Sequence, residues 1–173
     1  MLTTTSRKTQ TVELSAPEKL SDKHILDEFD SGVQSINDYL YRQARKAQAA
    51  KLAVVYVICR KDTPNVMGYY TLSSGSVARQ YVVPKSRQRN SPNAHPVTLL
   101  GRMGITLEAQ GHGFAIDLLQ DAIERTITAS AAIGSTALIV HPLDERLANF
   151  YMKYAGFIPC PELSPVTLML PLQ

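Results

Sequence analysis

The stretch from Glu108 to Ile123, EAQGHGFAIDLLQDAI, decides the fold because it predicts a long helix that opens directly after a strand. Residues 97–107 before it are rich in strand formers, and apolar residues recur at helical spacing after Gly113. Glycines at a helix N-terminus let backbone approach a ligand closely, and the free N–H groups there favour phosphate. The stretch therefore predicts a strand-to-helix junction that binds a diphosphate.

Two common diphosphate motifs do not fit this junction. A P-loop needs a lysine after its second conserved glycine, and Phe114 follows Gly113 here. The dinucleotide fingerprint needs a glycine or alanine three residues after its second glycine, where this chain has Ile116. The remaining pattern is Q-x-x-G-x-A, formed by Gln110, Gly113 and Ala115.

The rest of the chain predicts mostly strands before this junction and alternating strands and helices after it. The order indicates an α/β fold with a mixed sheet, in one domain over residues 11–173 with an N-terminal arm over residues 1–10. The predicted strands are residues 12–14, 52–59, 66–78, 97–107, 136–142 and 166–172. The predicted helices are residues 22–29 with Ser21 as N-cap, a longer helix from Val33, a helix from Gly113 to Gly134, and residues 144–156.

A strongly basic segment is hidden within a nearly balanced chain. Residues 31–102 hold 11 basic and 2 acidic side chains, although the whole chain has a net charge of only +3. Such a segment indicates an anionic partner, and Arg102 fits an ion pair as well as a substrate contact. The predicted contacts to nucleic acid are Arg42, Arg45, Lys46, Arg79, Lys85, Arg87, Arg89 and Arg102.

The cysteines and histidines predict no metal site. Two cysteines, Cys59 and Cys160, are too few for a disulfide framework and are expected in the core. We expect His24 and His95 on the surface, whereas His141 fits a core histidine or a contact to the active site. The sequence has neither a membrane span nor a signal peptide, so we expect a cytoplasmic protein without a membrane partner.

Several stretches resemble one protein family. The Q-x-x-G-x-A pattern resembles the acetyl-CoA signature of the GCN5-related N-acetyltransferase (GNAT) superfamily. FDSGVQSINDYL (29–40), MGYYTLSSGSV (67–77) and LIVHPLDERLANFYMKYAGF (138–157) resemble the acetyltransferase toxins of bacterial type II toxin–antitoxin systems. The resemblance implies a GNAT fold, α/β (α+β), with a central mixed, mostly antiparallel sheet and about four helices. The family has three residues between the tyrosine of its Phe-Tyr pair and the Gly-Phe pair. This chain has four between Tyr151 and Gly156, so a bulged or extended helix end is expected.

The resemblance also implies acetyl transfer from acetyl-CoA to an amine, without a metal. The diphosphate would lie on the amides of residues 110–115, and the pantetheine arm would pair with the edge of strand 103–107. Tyr151 would act as the catalytic acid that protonates the leaving thiolate. The implied cofactor-binding residues are Gly104, Ile105, Leu107, Gln110, Gly111, His112, Gly113, Phe114, Ala115 and Tyr151.

The absence of a candidate general base indicates which kind of amine accepts the acetyl group. No carboxylate stands out as a general base, and an α-amine is partly neutral at pH 7, whereas a lysine amine is almost wholly charged. Aminoacyl-tRNA combines an α-amine with a polyanion, which would also explain the basic segment. The resemblance adds a homodimer and a ribbon-helix-helix antitoxin as partners. The alternatives are an N-acetyltransferase for protein or small molecules and a non-catalytic nucleic-acid-binding module.

Overall fold

The computed structural model describes residues 11–173, which form one sheet with helices on both of its faces. Residues 1–10, the predicted arm, lie outside the described residues. Within the described part, the sheet has seven strands in the order β1-β2-β3-β4-β5-β7-β6. In chain order the strands are Glu18–Lys19 (β1), Val54–Cys59 (β2), Val66–Ala78 (β3), Ala94–Ile105 (β4), Ala137–Val140 (β5), Ile158–Pro159 (β6) and Leu168–Pro171 (β7).

Every pair of neighbouring strands is antiparallel except β4 and β5, which confirms the predicted mixed, mostly antiparallel sheet. The α-helices of the described part are Gln34–Asp38 (α1), Ala44–Ala49 (α2), Phe114–Ile133 (α3) and Glu145–Ala155 (α4). A π-helical turn, Tyr39–Gln43, joins α1 to α2, so one continuous helical segment stands where the sequence predicts a helix from Val33. No helix in this part of the chain is long and apolar enough to cross a membrane.

Alternating side chains give the sheet two buried faces. On the first face, Leu100 and Val140 belong to the same core cluster as Leu118 of α3 and Tyr151 of α4. On the second face, α1 and α2 cover β2 and the beginning of β3. Further along this second face, a smaller core forms around Val97 of β4.

The sheet opens between β4 and β5. Their parallel pairing joins only Thr98–Leu100 to Leu138–Val140, whereas β3 continues to pair with β4 as far as Ile105. From Gly101 to Ile105, the side of β4 that faces β5 therefore has no strand partner among the described residues, and we call it the open edge.

Two predicted N-terminal elements are wrong. Leu14 forms only an isolated bridge with Arg60, so no strand covers residues 12–14. Residues 22–29 form turns instead of a helix, because tertiary contacts take the backbone groups that a helix would use. The Ser21 amide donates to His24 Nδ1 at 2.9 Å, and Ile25 forms an isolated bridge with the turn after β2.

The prediction that His24 and His95 lie on the surface is also wrong, because both are buried. His24 Nε2 lies 2.7 Å from Glu18 Oε1, so its ring is held from both sides. His95 Nδ1 lies 3.3 Å from Thr136 Oγ1, and His95 Nε2 has no partner among residues 11–173. Cys59 and Cys160 are buried and free, as predicted.

Candidate active site

The turn before α3 is built for a close approach by a ligand. Gly111 and Gly113 have φ values of +81° and +82°, which L side chains rarely adopt. A Cβ added to either glycine would meet no atom within 4 Å, so the space in front of the turn is open. The ring of His112, exposed between the two glycines, lies 6.0 Å from the ring of Phe114.

Five consecutive amides of this turn have no acceptor among residues 11–173. The N–H groups of residues 111–115 donate no hydrogen bond within residues 11–173, and the first bonds of the helix run from Ile116 and Asp117 to the Gly113 carbonyl. The positive end of the α3 dipole lies at the same place. Such an array can hold the two phosphates of a diphosphate, and we call it the α3 cradle.

The backbone of the open edge alternates in direction. The Thr106 amide donates to the Met67 carbonyl at 2.8 Å, so the alternation of an antiparallel ladder also directs the N–H and C=O of Gly104 towards β3. The N–H and C=O of Met103 and Ile105 consequently face the open edge. These two residues are positioned to pair with an extended ligand.

Three of the predicted cofactor-binding residues have structural contacts of their own. The Leu107 amide donates to the Asp30 carbonyl at 2.7 Å. Gln110 Nε2 donates to the carbonyls of Ser31 at 3.0 Å and Ile105 at 2.9 Å. A Cβ on Gly104 would lie 2.5 Å from Ile36 Cγ2, so this glycine allows α1 to pack against β4. The role of these residues in cofactor binding stays a prediction.

Tyr151 is a buried side chain with an unpaired hydroxyl. It is 8% exposed, and its ring packs 5.5 Å from those of Phe150 and Phe157. Its hydroxyl forms no hydrogen bond within residues 11–173. Among these residues only His95 Nε2 is both unpaired and closed off from solvent, so the unpaired Tyr151 hydroxyl must be accessible to solvent. Burial raises the pKa of Tyr151 to about 12, so the hydroxyl holds its proton at neutral pH.

Helix α4 presents Tyr151 on the same face of the sheet as α3. Asp144 caps the N-terminus of α4 by accepting the Leu147 amide at 2.8 Å. At the other end Gly156 has a φ of +75° and donates to the Met152 carbonyl at 3.1 Å. This chain has one residue more than the family between Tyr151 and Gly156. That residue lies inside α4, which continues to Ala155 without a bulge.

The eight predicted tRNA contacts separate into two kinds. Arg45 donates to the His24 carbonyl at 2.6 Å, Arg79 to Ser91 at 2.8 Å and Arg87 to Leu172 at 2.8 Å, so these three brace the chain. Arg102 forms no ion pair within the described residues; its guanidinium lies 4.3 Å from the Tyr39 ring centroid. Like Arg102, the exposed side chains of Arg42, Lys46, Lys85 and Arg89 form no hydrogen bond or ion pair in this part of the chain.

One group of side chains within residues 11–173 has the composition of a metal site. The ligand atoms of Glu18, His24 and Cys59 lie within 4.8 Å of one another, at the β1–β2 edge of the sheet and away from the α3 cradle. Both ring nitrogens of His24 are already hydrogen-bonded, and burial raises the pKa of the Cys59 thiol to about 11. These contacts describe a hydrogen-bonded core cluster.

Sequence reasoning missed Met103 near the opening between β4 and β5, and it left His141 as either a core histidine or a contact to the active site. Met103 faces the open edge, but its orientation depends on strand register, which the sequence does not reveal. His141 follows β5 directly and is exposed, and its Nδ1 lies 3.0 Å from Thr167 Oγ1. Its position after a buried strand and before Pro142 was the only sequence signal for a role at this opening.

Comparisons with known proteins agree with this geometry. No family model matches the chain. It is 37% identical over 140 residues to a tRNA-acetylating toxin of Mycobacterium tuberculosis, a match that covers 81% of this chain and 82% of the relative. It is 26% identical over 159 residues to a probable toxin TacT of Sinorhizobium fredii, with 87% of each protein covered.

Solved structures give the same result. The chain is similar to AtaT complexed with acetyl-methionyl-tRNAfMet, with a TM-score of 0.84, 32% identity, and 92% of this chain and 95% of that chain covered. AtaTR bound with acetyl-CoA has a TM-score of 0.79 at 31% identity, covering 91% and 93%. A tyrosine-to-phenylalanine variant of AtaT bound to the C-terminus of the antitoxin AtaR has a TM-score of 0.77 at 31% identity, covering 91% and 92%.

Proposed function

This chain belongs to the tRNA-acetylating toxins of the GNAT superfamily, and on that premise we propose that it stops translation by acetylating the α-amino group of aminoacyl-tRNA. It is an acetyl-CoA-dependent acetyltransferase of a toxin–antitoxin system. The observation that carries the proposal for this chain's own site is that the α3 cradle lies on the same face of the sheet as Tyr151, a buried side chain with an unpaired hydroxyl.

The α3 cradle and the open edge would share the binding of acetyl-CoA. The amides of residues 111–115 are free to bind the diphosphate, and Gly111 and Gly113 leave the space that it needs. The backbone groups of Met103 and Ile105 would pair with the pantetheine amides, as a peptide strand pairs with a sheet edge. The Ile105 carbonyl already accepts from Gln110, so its N–H and both groups of Met103 remain for this purpose.

Tyr151 supplies the proton for the leaving group. A bond forms between the amine nitrogen and the acetyl carbon, the carbon–sulfur bond breaks, and the sulfur departs with the electron pair. The nitrogen, which is neutral when it attacks, releases one proton to solvent as the amide forms. Tyr151 donates its phenolic proton to that sulfur and later recovers a proton from solvent. Because burial disfavours the phenolate, the hydroxyl is protonated when the thiolate forms.

The exposed basic side chains favour a polyanionic acceptor. Arg42, Lys46, Lys85 and Arg89 form no hydrogen bond or ion pair within residues 11–173 and would bind phosphates of the tRNA. Aminoacyl-tRNA and an antitoxin are the partners. We propose further that the antitoxin is of the ribbon-helix-helix type with an acidic or amphipathic tail that covers these basic groups, that the toxin is a homodimer, and that it acts in the cytoplasm.

The test is a transfer assay with radiolabelled acetyl-CoA. The purified protein is offered charged tRNA, the same tRNA without its amino acid, and bulk protein. We expect label on charged tRNA only. Label on bulk protein would identify a protein acetyltransferase, and no label on any acceptor would leave a nucleic-acid-binding module.

A further inference from the structure

A cavity of about 310 Å³ lies on the second face of the sheet, next to the place where β4 and β5 separate. Leu99 and Ile139, which pair across β4 and β5 one residue before the last pair, form part of its wall. His141 also lines it, directly after β5 ends. The cavity therefore lies close to the beginning of the open edge, where the proposed path of the pantetheine arm ends.

The wall of this cavity is uncharged apart from the possible charge of one histidine. Its apolar lining includes Val77, Val97, Leu99, Ile139 and Leu163. Apart from His141, the polar side chains that line the cavity carry hydroxyl groups, and no lysine, arginine, aspartate or glutamate lines it. A charged group that enters such a cavity loses its hydration without gaining a counter-ion, which is costly.

The hydrogen bonds of Thr167 determine which nitrogen of His141 carries the proton. The Thr167 hydroxyl donates its single proton to the Pro165 carbonyl at 2.8 Å. Towards His141 Nδ1, 3.0 Å away, the same oxygen must therefore accept, which places the ring proton on Nδ1. His141 Nε2 then has an available lone pair, and it forms no hydrogen bond within residues 11–173.

We propose that this cavity holds the aminoacyl end of the acceptor, with the α-amino nitrogen beside His141 Nε2 and an uncharged amino-acid side chain among the apolar residues. This inference rests on the proposed function. It adds a binding site for the aminoacyl end, a selectivity for uncharged amino-acid side chains and a proton acceptor for the α-amine. The ammonium gives one proton to His141 Nε2, and the freed lone pair attacks the thioester carbon. His141 passes this proton to solvent and then takes, in the same way, the second proton that the nitrogen loses as the amide forms. Tyr151 protonates the departing sulfur on the other side of the sheet opening.

The selectivity is tested with the unmodified protein and a panel of aminoacyl-tRNAs. We expect kcat/KM for Met-, Leu-, Val- and Phe-tRNA to exceed that for Lys-, Arg-, Asp- and Glu-tRNA by roughly tenfold or more. Equal kcat/KM values for the two groups of tRNA would contradict binding of the aminoacyl end in this cavity and leave the proposed function intact. A protein that acetylates no aminoacyl-tRNA would overturn both.

A charge added to the cavity wall gives a matched test. Leu163→Asp places a carboxylate in the lining, and we expect it to raise kcat/KM for Lys-tRNA relative to Met-tRNA by roughly tenfold. Val166→Asp is the control, because Val166 belongs to the same loop, is 61% exposed and does not line the cavity. An unchanged ratio in folded Leu163→Asp, or an equal shift in both variants, would contradict the proposal.

The proton transfer has its own signature in short assays at two pH values. Tyr81 is the one other titratable side chain in the lining, so His141 is the natural acceptor at neutral pH. His141→Ala should lower kcat at pH 7 by roughly a hundredfold, a typical contribution of general base catalysis. The deficit should shrink at pH 9, where an α-amine is already neutral. A deficit that stays constant between these pH values would show that His141 has only a structural role.

Discussion

At the scale of single residues, Tyr151 gives the sharpest prediction. Tyr151→Phe keeps the ring that packs against Phe150 and Phe157 and removes only the hydroxyl. We expect kcat to fall by roughly a hundredfold or more, while the Kd for acetyl-CoA, measured by calorimetry, changes little. Turnover near the level of the unmodified enzyme would show that the sulfur takes its proton from elsewhere.

The raised pKa of Tyr151 leads to a prediction about activity at alkaline pH. Because burial raises the pKa of Tyr151 to about 12, the acid stays protonated well above pH 10, and its contribution is lost only as the pH approaches 12. We expect kcat of the purified enzyme to show no decline with a midpoint near 10, the ordinary pKa of tyrosine. A decline centred at pH 10 or below would mean that the hydroxyl is solvated during catalysis.

Gly104 separates a structural role from a catalytic one. In Gly104→Ala the new Cβ would lie 2.5 Å from Ile36 Cγ2, so α1 must move away from β4. We expect the free energy of unfolding to fall by about 1–3 kcal/mol, the usual cost of overpacking. Gly75→Ala is the control, because its Cβ would meet Val97 Cγ2 at an ordinary 3.7 Å. Equal stability of the two variants in chemical denaturation would contradict this account.

Part of the site was predictable from the sequence, because some of its residues stand in recognisable local patterns. A glycine pair at a helix opening and a tyrosine near a later helix C-terminus are local signals that a sequence displays. His141 carries only a weak signal, its position directly after a buried strand, because its proposed role depends on a bond to Thr167 in a different part of the chain. For the same reason the sequence predicts His24 and His95 on the surface: nothing adjacent to either residue indicates what buries it.

At the scale of elements, a polar network fixes α3 to the sheet. The Tyr70 hydroxyl donates to Asp121 Oδ2, and Arg125 Nε donates to the same oxygen at 2.8 Å. The Arg125 guanidinium also lies 4.2 Å from the Tyr56 ring centroid. Asp121 thus connects the helix that carries the α3 cradle to β2 and β3.

Removing Asp121 tests this anchor. Asp121→Ala leaves the Tyr70 hydroxyl without its acceptor inside the core, and we expect the free energy of unfolding to fall by about 2 kcal/mol. Glu124→Ala is the control, because Glu124 is exposed on the same helix and its side chain forms no hydrogen bond within residues 11–173. A loss in urea denaturation that is no larger for Asp121→Ala than for the control would rule out an anchoring role.

Elements with strong local patterns were predictable, and those made by tertiary contacts were not. The predicted bounds of β3 are those observed, because its β-branched and aromatic run lies between clear turn signals. Residues 22–29 have helical spacing but form turns, because backbone bonds to the segment after β2 replace the helical ladder. The cavity on the second face was not predictable at all, since β3, β4, β5 and the loop before β7 build it together.

At the scale of the whole molecule, the basic side chains form two groups separated along β4. Arg102 lies eight residues from Ala94, where the loop that carries Lys85 and Arg89 joins β4, which is roughly 26 Å at about 3.3 Å per residue. Arg42 and Lys46 lie on the helical segment next to Arg102, whose guanidinium rests on Tyr39. A single phosphate cannot reach both groups, so an acceptor that uses both must be an extended polyanion.

This separation leads to a prediction about salt. In the double variant Lys85→Glu and Arg89→Glu, we expect the KM for aminoacyl-tRNA to rise at low salt, because both side chains are exposed and form no hydrogen bond or ion pair within residues 11–173. The slope of log Kd against log salt concentration should fall by about 1–2, because the phosphates that these two side chains bind would keep their counter-ions. Arg87 is unsuitable for this experiment, because its bond to the Leu172 carbonyl would couple binding to stability.

Lys153→Glu is the control for each single substitution of the pair, since it makes the same charge reversal once, on α4, outside the basic segment. Its effect on tRNA binding should be small at physiological salt, where the Debye length of about 8 Å screens charges that do not contact a phosphate. If Lys153→Glu weakened binding as much as the double variant, the tRNA would respond to overall charge and the loop would have no special place in its path. If neither changed the salt slope, the phosphates would be bound by the other group, on the helical segment that contains Arg42 and Lys46.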